Sequence, residues 1–171
     1  MWEDSTPFYI PDPYEEIKKP SSKAKPEGEH TTSLIKGLHK IGAFAYKIPD
    51  PVGSYKVNPR PFDVIACYQG KSIAIECKWI KQPKAFGMSS LRPVQINGLN
   101  KHQESGGLSL VVLFLKYRHK INMLVWDWQE FKNHNGTYKK YELLEGLENG
   151  KASQKTGGIF TATWLQRRFS K

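Results

Sequence analysis

Three charged residues stand inside two apolar runs, and their spacing carries most of the chemistry available to this chain. Phe62 to Tyr68 and Ser72 to Trp79 are rich in β-branched and aromatic residues and flank a short turn at Gly70. That pattern predicts a β-hairpin. Asp63 falls near the start of the first run, Glu76 and Lys78 near the end of the second. Side chains alternate along a strand, so Glu76 and Lys78 share one face while Ile75 and Cys77 take the other. A hairpin closed at Gly70 brings Asp63 opposite the Glu76 region. Two carboxylates and an ammonium then meet among apolar neighbours, which costs free energy unless a cation compensates. Mg²⁺ takes oxygen ligands from one or two carboxylates, waters and substrate phosphates. Asp63, Glu76 and the peptide carbonyl of Cys77 are therefore the metal candidates, for Mg²⁺ with Mn²⁺ as a substitute. Lys78 is placed to hold a water or a phosphate oxygen. A Lewis acid, an activated water and a positive charge are what phosphodiester hydrolysis needs. The plainer alternative is an Asp–Lys or Glu–Lys ion pair on the open face of an amphipathic hairpin.

The flanking elements must position these groups. Leu34, Ile35, Leu38 and Ile41 recur at helical spacing, predicting a helix over 28–40 that Gly42 ends. Ala43 to Ile48 alternates as a strand, and a loop dense in Pro, Gly and basic residues then leads from Pro49 to Pro61. Ser54, Tyr55, Lys56 and Arg60 of that loop could meet phosphates or a base, since loops on a rigid sheet commonly carry binding groups. A second basic loop holds Lys81, Lys84 and Arg92. The next helix is expected to have Ser89 or Ser90 as its N-cap, Pro93 and Gln95 in its first turn, and Gly106-Gly107 past its end. Lys101 and His102 read as surface. Leu108 to Leu115 is a near-continuous apolar run, hence a strand buried on both faces, and Ile121 to Trp126 is another. Asp127 looks like the cap of a short helix. The stretch 149–158 reads as an exposed, mobile loop, and 161–169 as a terminal helix.

The motif Pro61-Phe62-Asp63 followed by Glu76-Cys77-Lys78 resembles the core of the PD-(D/E)xK nuclease superfamily. With the segment from Leu34 to Pro49, the stretch from about Glu29 to Phe114 is similar to Holliday junction resolvases of the archaeal type, and more loosely to RecU resolvases. The resemblance implies a restriction-endonuclease-like fold with Asp63, Glu76 and Lys78 as catalytic residues. It adds Gln95 as a holder of the attacking water, Glu29 on the first helix as a further metal contact, and a serine-bearing DNA-binding loop at Ser54. It also implies a four-way DNA junction as substrate and a homodimer that cuts it in two places. A phage source would fit the mixed resemblance.

The composition is compatible with this. The 171 residues carry a net charge of +10, with 26 Lys and Arg against 16 Asp and Glu, which suits a polyanionic partner. Cys67 and Cys77 lie on opposite faces of the hairpin, so a disulfide between them is not expected. No Cys/His cluster suggests zinc, and no phosphate-loop, dinucleotide or repeat signature is present. No signal peptide or membrane-spanning run is read, so a cytoplasmic protein without membrane contact is expected. The expected fold is α/β, a mixed sheet of about five strands flanked by helices. Residues 1–27 read as a flexible, Pro-rich basic tail, and 28–171 as a single nuclease domain. Two alternatives stay open: a repair or restriction-like nuclease on the same core, which oligomeric state would separate, and a DNA-binding protein that has lost activity.

Overall fold

The computed structural model describes residues 26–49, 59–117, 119–134, 137–148, 152–153, 165–166 and 169. Helix α1 (Pro26–Lys40) starts two residues before the predicted boundary because Pro26 can occupy a first helical turn, where its missing N–H is not needed. Its Leu34, Ile35 and Leu38 are buried, as the helical spacing requires. Gly42, at φ +79°, turns the chain so that the Ala43 N–H donates to the Leu38 carbonyl at 3.1 Å. The strand β1 (Phe44–Lys47) follows directly.

β2 (Val64–Tyr68) and β3 (Lys71–Ile80) form the predicted hairpin. Gln69 and Gly70 have φ of 48° and 74°, the paired positive values of a two-residue turn whose twist matches the strands. A short strand β4 (Phe86–Gly87) and a turn of 3-10 helix over Met88–Ser90 lead into α2 (Pro93–Glu104). The N-cap of α2 is Arg92, not Ser89 or Ser90, which are spent in the 3-10 turn. Pro93 disfavours helical backbone at the residue before it, so the helix begins there.

β5 (Leu108–Tyr117) runs parallel to β3, with α2 as the crossover, and β6 (Lys120–Asp127) returns antiparallel. All eight residues from Leu108 to Leu115 are buried, as expected of a central strand covered on both faces. Asp127 caps α3 (Trp128–Asn133) by accepting the Gln129 N–H at 2.8 Å. Then come β7 (Thr137–Tyr138), paired with β4, α4 (Lys140–Glu148) and β8 (Ala152–Ser153). The main sheet is mixed, in the order β1-β2-β3-β5-β6-β8. It has one strand more than predicted, because two residues of the expected 149–158 loop pair with Met123 and Leu124 on β6. So short an edge strand leaves no periodic signal.

The sheet separates two apolar clusters. One face carries Val64, Ala66, Ile73, Ile75 and Cys77 against α1, with Leu165 from the expected terminal helix buried there. The other carries Ala74, Val111, Leu113 and Trp126 against Leu99 of α2 and the aromatics of α3. Cys67 is exposed and Cys77 buried, both as free thiols. His102 is not the surface residue expected. It bridges α2 to the sheet, with Nε2 2.8 Å from Ser72 Oγ and Nδ1 3.0 Å from Ser109 Oγ. Ser109 donates to the Leu99 carbonyl, so its oxygen accepts from Nδ1–H, and in a neutral ring Nε2 then accepts from Ser72. Burial favours that neutral form, lowering the His102 pKa below its usual value. Among the described residues no helix is long and apolar enough to cross a membrane.

Candidate active site

The β2–β3 ladder ends where the chemistry begins. Its last pair is Val64 with Ile75, and the Asp63 N–H still reaches the Ile75 carbonyl at 3.1 Å. By this register Asp63 stands opposite Glu76. One step further the backbone partner is replaced by a side chain: the Cys77 N–H donates to Asp63 Oδ2 at 2.7 Å. Hydrogen bonding by β3 thus continues past the end of β2 and fixes the carboxylate. Asp63 and Glu76 are buried, at 3% and 0% exposure.

Glu76 and Lys78 share the α2 face of β3. Lys78 Nζ lies 2.8 Å from Glu76 Oε1 and 3.2 Å from Gln95 Oε1. Gln95 is buried in the first turn of α2, and its Nε2 donates to Glu76 Oε1. Its Oε1 also accepts the Arg92 N–H at 2.9 Å. One amide therefore caps its helix and ties the carboxylate to the ammonium. The orientation of that amide follows, because its oxygen faces only donors and its nitrogen faces an acceptor.

Asp63 has a second side-chain partner: Arg60 Nη2 sits 2.7 Å from Oδ1. The sequence marks Arg60 as a phosphate contact, and its pairing with Asp63 was not foreseen, although three-residue spacing next to a carboxylate is a signal for it. Pro61, between them, is seated on α2 at Gly98. A Cβ on Gly98 would lie 2.4 Å from Pro61 Cβ and 2.8 Å from its carbonyl oxygen. This glycine was also missed, and a Gly inside a helical pattern is the signal that could have found it.

The structure thus brings Asp63, Glu76, Lys78 and Gln95 together. It does not bring Glu29 into that set of bonds. Glu29 is exposed in the first turn of α1, the helix on the opposite face, while His30 beside it packs its ring on Trp79 and Phe114 at 5.0 and 5.2 Å. Lys81, Lys84 and Arg92 are exposed. Ser54, Tyr55 and Lys56, like the tail up to residue 25, lie outside the described residues. Among the described residues no group of three or more His, Cys, Asp and Glu could hold a metal. Two buried carboxylates beside a ladder end nevertheless fit a hard cation that fills its remaining positions with water and phosphate oxygens. They do not fit a closed, all-protein cage.

A mixed α/β sheet whose hairpin end gathers Asp, Glu and Lys against a helix glutamine has the form of a PD-(D/E)xK nuclease core. The family model described as "Recombination protein U", RecU, matches residues 44–155. That is more than half of the chain, which belongs to the RecU family of Holliday junction resolvases and is an endonuclease. A similar solved structure is that of Archaeoglobus fulgidus Hjc, a Holliday junction resolvase from an archaeal hyperthermophile. It is 19% identical with a TM-score of 0.41, and the match covers 68% of this chain and 98% of that one. No curated protein matches the chain at a significant level. None of these comparisons supports a phage source.

Proposed function

We propose that the chain hydrolyses one phosphodiester in each of two strands of a four-way DNA junction, with Asp63 and Glu76 as ligands of a catalytic Mg²⁺. The observation that carries this reading is the convergence of two buried carboxylates, Lys78 and Gln95 at the open end of the hairpin. The Cys77 carbonyl is the backbone ligand in this reading. Ile75 O and Cys77 N both face the Asp63 side of β3, and the two peptide groups of one strand residue point the same way. The cation, when bound, polarises the scissile phosphate and lowers the pKa of a coordinated water.

The chain's own groups do the rest. Lys78 offers its ammonium to the charge that develops on the phosphate oxygens, where a preorganised positive group is most effective. Gln95 keeps Lys78 and Glu76 from drifting and presents its amide next to the attacking water. Glu29 carries no step of this reading, because its carboxylate is exposed on the helix behind the sheet. Lys81, Lys84 and Arg92 supply phosphate contacts, joined by Ser54 and Lys56 of the preceding loop. Symmetric cutting of two strands calls for a homodimer with a two-fold interface. Trp126 and Phe114 on the later strands are buried and offer no such surface. Among the described residues the exposed large hydrophobics are Phe44, Tyr46 and Tyr141, and the first two make edge strand β1 the better candidate. Such a protein works in the cytoplasm, on the cell's DNA.

The test is cleavage of a synthetic four-way junction and a matched linear duplex, with Mg²⁺ and with EDTA, by the wild type and Asp63→Ala. Paired nicks in the junction alone, lost in EDTA and in the variant while junction binding persists, are expected. Undiminished cleavage by Asp63→Ala would sink the site assignment. Equal cutting of the duplex would favour a broader nuclease.

A further inference from the structure

The small β4–β7 ladder gathers exposed cations and an exposed aromatic ring at one of its ends. It is antiparallel and pairs Phe86 with Tyr138 and Gly87 with Thr137. The residues that precede Phe86 and those that follow Tyr138 therefore leave from the same end. On one segment this is Lys84, on the other Lys139, Lys140 and Tyr141, and all four are exposed. Lys139, Lys140 and Tyr141 enter no step of the reading above. We propose that this end of the ladder is a subsite for unpaired DNA, in which the lysines hold successive phosphates and the Tyr141 ring takes a base. The inference rests on the nuclease reading and deepens it, because it makes single-stranded nucleotides beside the cut part of what the chain recognises.

The fold turns Tyr141 outward. Helix α4 is pinned to the core through Leu143, which is 1% exposed. Two residues are about 200° of helix, so Tyr141 stands on the opposite side, at 61% exposure. Lys139 Nζ lies 6.0 Å from the centre of its ring, a cation–π contact that keeps a phosphate-binding group beside the aromatic one. An exposed ring among cations is the combination that holds single strands: the ring stacks on a base of any identity while the cations follow the backbone. Bases inside a duplex are stacked on one another and offer no face to such a ring.

The lysines run against the preference of the helix they begin. Lys140 opens α4, where the helix dipole favours negative charge, and Lys139 precedes it. Glu142 is the acid of that first turn. Its Oε2 accepts the Lys139 N–H, and its Oε1 lies 2.9 Å from His134 Nε2. Among the described residues, Lys84 and Lys140 form no ion pair with a carboxylate. Cations kept where local energetics disfavour them mark a functional surface. The support beneath them is packed: Tyr138 lies on Trp126 and Phe131 at 4.8 and 5.7 Å, and His134 stacks on Tyr138 at 3.9 Å. Lys81 joins this surface to the charged cluster along the chain. It follows directly on Ile80, the last residue of β3, three residues and about 10 Å past Lys78.

The experiment is fluorescence titration of the full-length protein in EDTA, so that nothing is cut. The ligands are a strand of thymidines carrying one fluorescent adenine analogue, whose emission falls when it stacks, and a duplex of the same length. The wild type is compared with Tyr141→Ala, Tyr141→Phe and a double variant, Lys139→Gln with Lys140→Gln. Tyr141→Ala is expected to weaken single-strand binding by about 5- to 150-fold, the range for loss of one base–aromatic stack, and to abolish the quenching. Its duplex affinity should stay at the wild-type level, and Tyr141→Phe should keep both binding and quenching. The double lysine variant should lower the salt slope of single-strand binding by about 1.4, two phosphate contacts' worth. Wild-type affinity and quenching in Tyr141→Ala overturn the subsite, as does an equal loss on the duplex. An unchanged salt slope in the double variant removes the lysines from it. Neither metal nor cleavage enters these readings, so such results leave Asp63 and Glu76 as assigned. That assignment falls separately, on undiminished junction cleavage by Asp63→Ala.

Discussion

Replacing Gly98 with alanine sets two effects of opposite sign against each other. In the interior of α2 alanine is the better helix former, by about 1 kcal/mol. The added methyl group, however, would stand 2.4 Å from Pro61 Cβ, about 1 Å inside the 3.4 Å at which ordinary contact begins, and 2.8 Å from the Pro61 carbonyl oxygen. Neither neighbour is the end of a flexible side chain. Pro61 is rigid and two residues from Asp63, so α2 and the Arg60–Asp63 segment must separate. Overpacking of this kind costs about 1–3 kcal/mol, which exceeds the propensity gain. The net destabilisation of up to about 2 kcal/mol lowers the melting temperature by a few degrees, at about 2–4 °C per kcal/mol for a domain this size. The larger effect falls on catalysis. Gln95 is one turn from Gly98 on the same helix, so the separation opens the distance between Gln95 and Asp63. A displacement of about 1 Å in a reacting set can cost about 100-fold in rate. Single-turnover cleavage of a junction at saturating protein, with thermal denaturation alongside, reads both. A variant that melts above the wild type and cuts at the wild-type rate would refute the claim that this contact sets the spacing of the site.

Two further outcomes follow from the bonds of the site and its supporting helix. Gln95→Ala removes a helix cap and the link between Lys78 and Glu76. A lost cap costs about 0.5–2 kcal/mol, and the freed groups should lower single-turnover cleavage by about 10- to 100-fold with junction affinity retained; unaltered cleavage would show that the amide serves the helix alone. His102 and His30 both have pKa values lowered by burial, in His30 against an opposing pull from Glu29. The folded chain therefore resists protonation that the unfolded chain accepts near pH 6.5, so their contribution is complete above that pH and lost as pH falls through the folded values. The melting temperature should drop on acidification from pH 7 to 5.5, less steeply in His102→Gln. Parallel profiles for variant and wild type would remove His102 as a cause.

The parts of the site legible in the sequence are those that local pattern dictates. Asp63, Glu76 and Lys78 interrupt apolar runs of period two, and the turn between the runs fixes their register, so hairpin and cluster could be read together. The Leu108–Leu115 run announced a central strand by its unbroken apolarity. Gln95 was placed by resemblance, and the structure adds what no pattern could: that its amide bonds the groups on β3 and its own N-cap at once. The start of α2 was misjudged because two serines advertise a cap, while Pro93 decides where helical backbone can begin. Arg60 and His102 were taken for solvated surface or phosphate contacts. A ring-bearing polar side chain such as His102 says nothing about a partner set by packing of α2 on the sheet, whereas for Arg60 the three-residue spacing to Asp63 was the signal passed over. Glu29 shows the reverse. Like Gln95 it was placed by resemblance, and it stands exposed in the first turn of α1, on the other side of the sheet from α2.

The two-residue turn at Gln69 and Gly70 has a reach beyond its size. Side chains on a strand change face with every residue, so the turn settles the parity of β3 relative to β2. A slip of one residue there would send Glu76 and Lys78 to the α1 side and deliver Ile75 and Cys77 to the α2 side, where Gln95 stands. The cluster of Asp63, Glu76 and Lys78 would be taken apart with every member still present in the chain. Gly70 lies six residues from Glu76, about 20 Å along the strand, yet it acts as the zero mark from which the positions of the charged cluster are counted.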